Sequence, residues 1–293
     1  MCQHFTLHFH KFFIKTGAVK WSFNELKNYV LTRPLVYNNK LYFGAWDTYF
    51  YALNLEDGSL AWKWKNGKGN PKLSPASVWP VAADGKIFIT APDRYFTCLN
   101  AETGEVVWRT NKYKVRETVG LSEDGKTVYS KCMWDTVVAI STGEPISMEE
   151  PKTIWAAHAD FGYEHNPAMP LEKDGILWVS TKNGLLLGMD AKTGKELWHL
   201  TTNQAVMGAT TIHDGVAYIG GGDGRMFAID IHTGEVKWAF SELKNYVLTR
   251  PLVYNDKLYF GTWDTHFYAL NLADGSLVWK WNNGRSNPKL SPA

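Results

Sequence analysis

Cysteine is scarce in this chain: 293 residues hold three, at positions 2, 98 and 132. An odd number at such wide spacing supports neither a disulfide framework nor a zinc pattern, so packing must hold the fold. Net charge is nearly absent as well, +2 from 31 basic and 29 acidic residues spread along the chain. That balance excludes the basic footprint of a nucleic-acid binder or a polybasic membrane segment. No apolar run approaches the roughly 18 residues of a membrane helix. Residues 1–20 show scattered His and Lys in place of the apolar block and small-residue cleavage site of an export signal.

What is abundant is tryptophan, 14 residues, and half of them are periodic. Gly-x-x-x-Trp, preceded by Thr or Asp, recurs at Gly17/Trp21, Gly58/Trp62, Gly104/Trp108, Gly194/Trp198, Gly234/Trp238 and Gly275/Trp279. With Trp155 in the gap, the spacings are 41, 46, 47, 43, 40 and 41 residues, so the chain is an array of units of that size. One pair is nearly a copy: residues 21–76 realign on 238–293 at an offset of 217, with 46 of 56 positions identical. Loops agree as well as strands, the mark of a recent duplication. The chain therefore reads either as a segment of a longer protein or as a ring closed by its own two ends.

Each unit divides into four short runs rich in Val, Tyr, Phe and Trp. In the first these are 32–37, 40–46, 49–55 and 59–64, with an Asn38-Asn39 turn after the first run. Asp84-Gly85, Asp124-Gly125, Asp174-Gly175 and Asp214-Gly215 stand at the same place in later units and predict tight hairpins. Repeated antiparallel hairpins with no helical period between them predict an all-β fold, a β-propeller of four-stranded antiparallel blades. Six residues before the motif glycine stands a small residue, Ala52, Cys98, Gly188, Ala228 or Ala269. It is expected to let neighbouring sheets approach while the tryptophan fills the space between them, which makes Cys98 a core residue. The expected organisation is one domain, 1–293. Residues 1–23 form a partial blade, 24–287 six full blades, and 288–293 the start of a further or closing blade, a composite seventh.

Ala228-Ile-Asp230-Ile-His-Thr233-Gly234-Glu-Val-Lys-Trp238 resembles the tryptophan-docking repeat of quinoprotein-like propellers, the pyrroloquinoline quinone repeat family, and 98–108 and 188–198 are close variants. The resemblance covers nearly the whole chain and is specific for fold. It implies a bacterial, periplasmic or extracellular setting. The family includes quinone-dependent dehydrogenases, the propeller lipoprotein that scaffolds outer-membrane β-barrel assembly, and propellers joined to calcineurin-like phosphoesterases. In the alcohol-dehydrogenase branch, the quinone lies between a tryptophan and an adjacent-cysteine disulfide, over a calcium ion. This chain has no adjacent cysteines, though the soluble sugar-dehydrogenase branch does without that disulfide.

Trp-Asp-Thr at 46–48, 134–136 and 263–265, with Asp93, Asn183 and Asp223, falls at the turns between second and third strands. Recurrence in each unit fits turn capping better than a single catalytic centre. Residues 156–165 gather two His and two carboxylates, and His4, His8 and His10 cluster at the start, but neither spacing matches a metal motif. Asymmetry appears where first strands begin, at Arg33, Arg116, Glu117, Glu164 and Arg250, with Lys72, Arg94, Lys131 and Lys182 expected on the same face and Trp46, Trp79 and Trp263 beside them. These twelve residues form the candidate ligand or partner face, around the polar mouth of a channel. The expected function is non-catalytic binding or scaffolding of a protein, peptide or glycan, by a monomer, with no cofactor. Alternatives are a quinone-dependent oxidoreductase using pyrroloquinoline quinone and calcium, or the propeller part of a metallophosphoesterase.

Overall fold

Tight turns and strand-forming runs leave this chain little choice but antiparallel pairing. Asn38-Asn39, Asp84-Gly85, Asp174-Gly175, Asp214-Gly215 and Asn255-Asp256 all have positive φ at both central residues, between 43° and 78°. That is the geometry of two-residue hairpins whose twist matches the strands they join. Asp124-Gly125 departs from this expectation: only Gly125 has positive φ, in a longer loop closed by Ser122 N–H donating to Thr127 O.

The computed structural model describes residues 7–30, 33–75, 79–116, 119–163, 168–202, 206, 208–282 and 284. Among them are six four-stranded antiparallel sheets and one two-stranded sheet. The two-stranded sheet pairs Leu7–Phe12 with Val19–Leu26, in and just beyond the expected partial blade 1–23. Blade 1 pairs Leu35–Tyr37, Lys40–Gly44, Tyr49–Asn54 and Leu60–Lys65 in chain order. The same order repeats in blade 2 (81–110), blade 3 (120–163), blade 4 (171–201), blade 5 (211–240) and blade 6 (252–282). Residues 288–293, expected to begin a further blade, lie outside the described residues.

First strands are shorter than the sequence suggests: 35–37 where 32–37 was expected. The reason is proline. Pro34, Pro80, Pro170 and Pro251 immediately precede the first strands of blades 1, 2, 4 and 6, and a residue without an N–H cannot extend the ladder. Blade 3 differs in another way. Its last strand, Thr153–Tyr163, is 11 residues long and follows a longer loop, 142–152, in which Gly143 lacks the positive φ of the glycines at this turn in the other blades. The chain divides into two compact units, Met1–Met133 with Val138–Ile154, and Trp134–Val137 with Trp155–Ala293.

Within each unit the periodic tryptophans hold sheet to sheet. Trp21 lies over Gly58 and Trp62 over Gly104 in the first unit; Trp155 over Gly194, Trp198 over Gly234 and Trp238 over Gly275 in the second. A Cβ on any of these glycines would lie 2.5–2.6 Å from the ring. Each indole N–H donates to the carbonyl three residues before its glycine, at Leu55, Ala101, Ala191, Ile231 and Leu272, over 2.8–3.1 Å. Large apolar area and one satisfied donor per junction make this the main inter-sheet fastening.

The small residue six positions before the glycine has a different role from the expected one. It stands directly across from its own sheet's tryptophan: Ala52 opposite Trp62, Cys98 opposite Trp108, Gly188 opposite Trp198, Ala228 opposite Trp238, Ala269 opposite Trp279. It makes room for that ring to lie flat on the sheet, and a Cβ on Gly188 would come within 2.2 Å of Trp198. Cys98 is fully buried in this position, and burial pushes its thiol well above the usual range, as it pushes Cys132 up to about 12. Both are inert core thiols.

Candidate functional site

The turns between second and third strands carry the carboxylates that the sequence raises as candidate ligands. Asp47 accepts from the N–H of Tyr49 and Lys27 and from the Tyr51 hydroxyl. Asp264 repeats this, accepting from the N–H of His266 and Lys244, the Tyr268 hydroxyl and the Thr262 hydroxyl. Burial pushes the Asp264 carboxyl up, but those donors together outweigh it and leave it below the usual range. Asp223 accepts from Arg225 N–H and pairs with its guanidinium, and Asp135 accepts from Gly162 N–H. Asn183 donates to Phe161 O at 2.7 Å. These groups tie each turn to its own surroundings.

Asp93 is the exception in kind. Its side chain is 2% exposed, and burial pushes its carboxyl pKa above the usual range in spite of the partners around it. It meets Arg109 at 2.5 Å, and the Arg109 guanidinium lies 3.9 Å from the centre of the Tyr95 ring and 5.6 Å from that of Trp64. Thr110, Asn111, Lys112, Ser147, Glu149 and Glu150 complete a polar recess of about 500 Å³ next to it. Sequence reasoning missed Arg109: it follows the motif tryptophan, and only its position at the Arg-bearing end of blade 2 distinguishes it.

The lead-in to a blade lies against that blade's own turn between second and third strands in three blades. Trp46 N–H donates to Tyr29 O at 3.0 Å, Trp263 N–H to Tyr246 O at 3.1 Å, and Met133 N–H to Lys114 O at 3.2 Å, where Val115 also bridges to Cys132. This brings Arg116 next to the turn that follows Lys131. Arg116 is half-buried and Lys131 is 2% exposed, and both have partners. Arg33, Lys72 and Arg94 are exposed, and Trp79 is half-buried. These residues and Trp46 belong to the first unit. Lys182, half-buried, Arg250, exposed, and Trp263, half-buried, belong to the second. Glu117 and Glu164 lie outside the described residues, as does His165.

Two aromatic platforms stand out from this set. Trp46 packs on Tyr29 with ring centroids 5.6 Å apart, and Trp263 on Tyr246 at 5.4 Å. Tyr29 is 47% exposed, and the buried Trp46 Nε1 has no hydrogen-bond partner. The tyrosines went unnoticed in the sequence, although the 217-residue offset relates them as it relates the tryptophans.

A calcium-bound quinone needs carboxylate and amide oxygens converging on one point; among the described residues no three of His, Cys, Asp and Glu come together. The turn carboxylates are taken up by local donors, and both described cysteines are buried in cores. His158 belongs to no such group among the described residues.

The other conspicuous carboxylates cap the turns between third and fourth strands. Asp190 is held below the usual range by the Thr193 hydroxyl and the N–H groups of Thr193 and Lys192, Asp57 by the Ser59 N–H and hydroxyl, and Asp274 by the Ser276 hydroxyl and N–H. A carboxyl with a depressed folded value contributes stability that is full above its unfolded value, near about 4, and lost as pH falls through the folded value. Asp93, raised by burial, works in the opposite sense but stands alone among these acids. The melting temperature is therefore expected to fall steadily from pH 5 to pH 3. Thermal melts across that range check this, and a flat or rising profile would contradict it.

No helix among the described residues is long and apolar enough to cross a membrane. The family described as outer membrane protein assembly factor BamB matches residues 8–144 and 135–289. The outer membrane protein assembly factor BamB of Escherichia coli K12 is 32% identical over 251 residues, covering 81% of this chain and 60% of that protein. The quinohemoprotein alcohol dehydrogenase ADH IIB of Pseudomonas putida is 29% identical over 144 residues, covering 42% of this chain and 21% of that protein. The crystal structure of BamB from Moraxella catarrhalis superposes with a TM-score of 0.74 at 18% identity, covering 92% of this chain and 79% of that one, which shows the β-propeller fold. The chain thus spans less than two thirds of the length of the curated relatives it matches. By the match across both halves of its repeat array, the chain belongs to the family of the outer membrane protein assembly factor BamB.

Proposed function

We propose that this propeller is a non-catalytic scaffold that binds protein partners in outer-membrane protein assembly, on the periplasmic side of that membrane. The observation that carries this reading is how the polar groups are used. The turn carboxylates among the described residues are engaged by local N–H, hydroxyl and guanidinium donors, while aromatic platforms and arginines are left at the surface. Aromatic rings beside cations suit protein recognition, because they give large contact area at low cost in side-chain entropy. The names of the relatives support the same role, and family membership supports it over the quinone alternative.

Trp46→Ala combined with Trp263→Ala is expected to weaken binding to outer-membrane assembly partners by about tenfold or more, the scale of losing interface anchors. Binding measured by surface plasmon resonance, with circular dichroism as the fold check, tests it; unchanged affinity would remove the platforms from the interface. Titration with pyrroloquinoline quinone and calcium is expected to give no binding heat and no dye-linked alcohol oxidation. Turnover in that assay would overturn the scaffold reading.

A further inference from the structure

Three polar contacts fasten blade 1 to blade 2 beside their first hairpins. The Tyr42 hydroxyl and the Trp62 indole both donate to Ala101 O at 3.0 Å, and Lys40 pairs with Glu102 at 2.6 Å across the mouth of the junction. The junction between blades 5 and 6, within the second compact unit, uses the same positions but keeps one of these contacts. The Trp238 indole donates to Leu272 O at 3.0 Å, as Trp62 does to Ala101 O. Val216 stands where Lys40 stands and Ala273 where Glu102 stands, so no ion pair closes this mouth. Tyr218 stands where Tyr42 stands and is 4% exposed, yet its hydroxyl has no hydrogen-bond partner among the described residues.

The missing pair leaves a recess of about 500 Å³. Val216, Trp238, Leu272 and Ala273 give it apolar walls, and Tyr218 brings a buried hydroxyl to it. Carboxylates stand at its rim. Asp256 has no partner among the described residues, and Asp274 is held below the usual carboxylate range by the Ser276 hydroxyl and N–H. The cation among the lining residues, Lys237, pairs with Asp230 at 3.5 Å. Burial, and after it the charge of Asp214, pushes the Tyr218 hydroxyl up, so a negative field reaches the floor of the recess. The two copies of the duplicated segment differ at ten positions, and two of these lie here: Asn39 against Asp256 and Glu56 against Ala273. The first difference supplies a rim carboxylate, and the second clears the mouth.

We propose that this recess binds a basic side chain, arginine or lysine, presented by a partner polypeptide. Its apolar stem lies along Val216, Leu272 and Ala273, its charged head meets Asp256 and Asp274, and the Tyr218 oxygen is a further acceptor. Long basic side chains combine such a stem with a charged tip. A mostly apolar recess of this size with a few polar groups suits one small group. An acidic group would meet like charge there, and a purely apolar one would leave the Tyr218 hydroxyl buried without a partner. The inference does not depend on the aromatic platforms, because Asp256 and Asp274 stand at the opposite end of the blade 6 strands from Trp263.

Saturation-transfer NMR titrations of the full chain test it, with N-acetyl-arginine amide as the probe and its leucine and glutamate analogues as controls. The arginine probe is expected to bind with millimolar affinity, the scale of a single side chain, and more weakly as salt is added. Both controls should bind at least about tenfold more weakly. Val216→Lys combined with Ala273→Glu restores the types that pair at Lys40 and Glu102, and should reduce binding of the arginine probe at least about tenfold. Asp256→Asn places at this turn the type that position 39 holds at φ +57°, so it leaves the fold intact and is expected to weaken binding several-fold. No binding of the arginine probe, or equal binding of either control, would overturn the proposal. So would an affinity unchanged in Asp256→Asn, or unchanged in the double variant with native circular dichroism.

Discussion

Trp62→Ala is expected to destabilise the protein by about 3–5 kcal/mol, whereas Trp279→Ala, the same change in nearly the same local sequence, costs roughly 1 kcal/mol or less. Both rings leave the outer strand of their sheets opposite an alanine. Their own sheets therefore treat them alike, and what differs is the neighbour. Trp62 is 9% exposed, lies over Gly104 and donates to Ala101 O, while Trp279 is 42% exposed. Removing Trp62 opens a cavity between two sheets and leaves a carbonyl short of a partner; removing Trp279 takes away a ring that one sheet supports. Urea denaturation with midpoints compared at unchanged slope measures the difference. Equal costs would mean that tryptophan stabilises its own sheet and that inter-sheet docking contributes little.

This pair also shows what the repeat made legible. Docking needs two fixed residue types, a large ring with a donor and a glycine of positive φ, so the period could be read from Gly-x-x-x-Trp, and the four strands of each blade from the hairpin turns between them. Which sheet each partner serves could not be read. The small residue and the glycine are six positions apart on one strand-turn segment, yet Gly188 receives Trp198 from its own sheet and Gly194 receives Trp155 from the preceding one. Linear spacing does not distinguish a ring arriving across the sheet from one arriving from the next sheet. Blade 3 was the least legible because its Thr142-Gly143 pair opens a long loop without the positive φ of the docking glycines and no tryptophan follows Gly143 at four residues, and because its first hairpin is longer at Gly125.

For the residues of the candidate face, the sequence carried the charges but not their burial. Lead-in segments do meet the second turns, as the pairing of Trp46 with Tyr29 and the bridge from Val115 to Cys132 establish. Lys131 nevertheless sits on a short strand that places it inside at 2% exposure, while Arg33 and Arg94 are exposed. A charge in a sequence does not say whether the strand beneath it turns it inward. The Arg109 cluster illustrates the converse: Asp93 looks like its turn-capping equivalents, and only the fold brings a guanidinium and two rings onto it.

Gly104→Ala is expected to cost about 3–5 kcal/mol, and Gly17→Ala only about 1–2 kcal/mol, because the two sites share one penalty and differ in the other. Both glycines have left-handed backbones, φ +75° and +69°, which a Cβ opposes at roughly 1–2 kcal/mol. At Gly17 that is the whole effect, since nothing lies within 4 Å of the new atom. At Gly104 the Cβ arrives 2.6 Å from two carbons of the Trp62 ring. The ring cannot slide away without stretching its 3.0 Å bond to Ala101 O and separating blade 1 from blade 2, so packing and a hydrogen bond are lost together. Gly58→Ala beneath Trp21 and Gly275→Ala beneath Trp238 should follow Gly104, with Cβ distances of 2.5 Å in each case. Chemical denaturation of the four variants under dilute conditions separates the two contributions. If Gly17→Ala proved as costly as the other three, backbone conformation alone would account for the repeated glycine, and its service as the seat of a neighbouring tryptophan would be incidental.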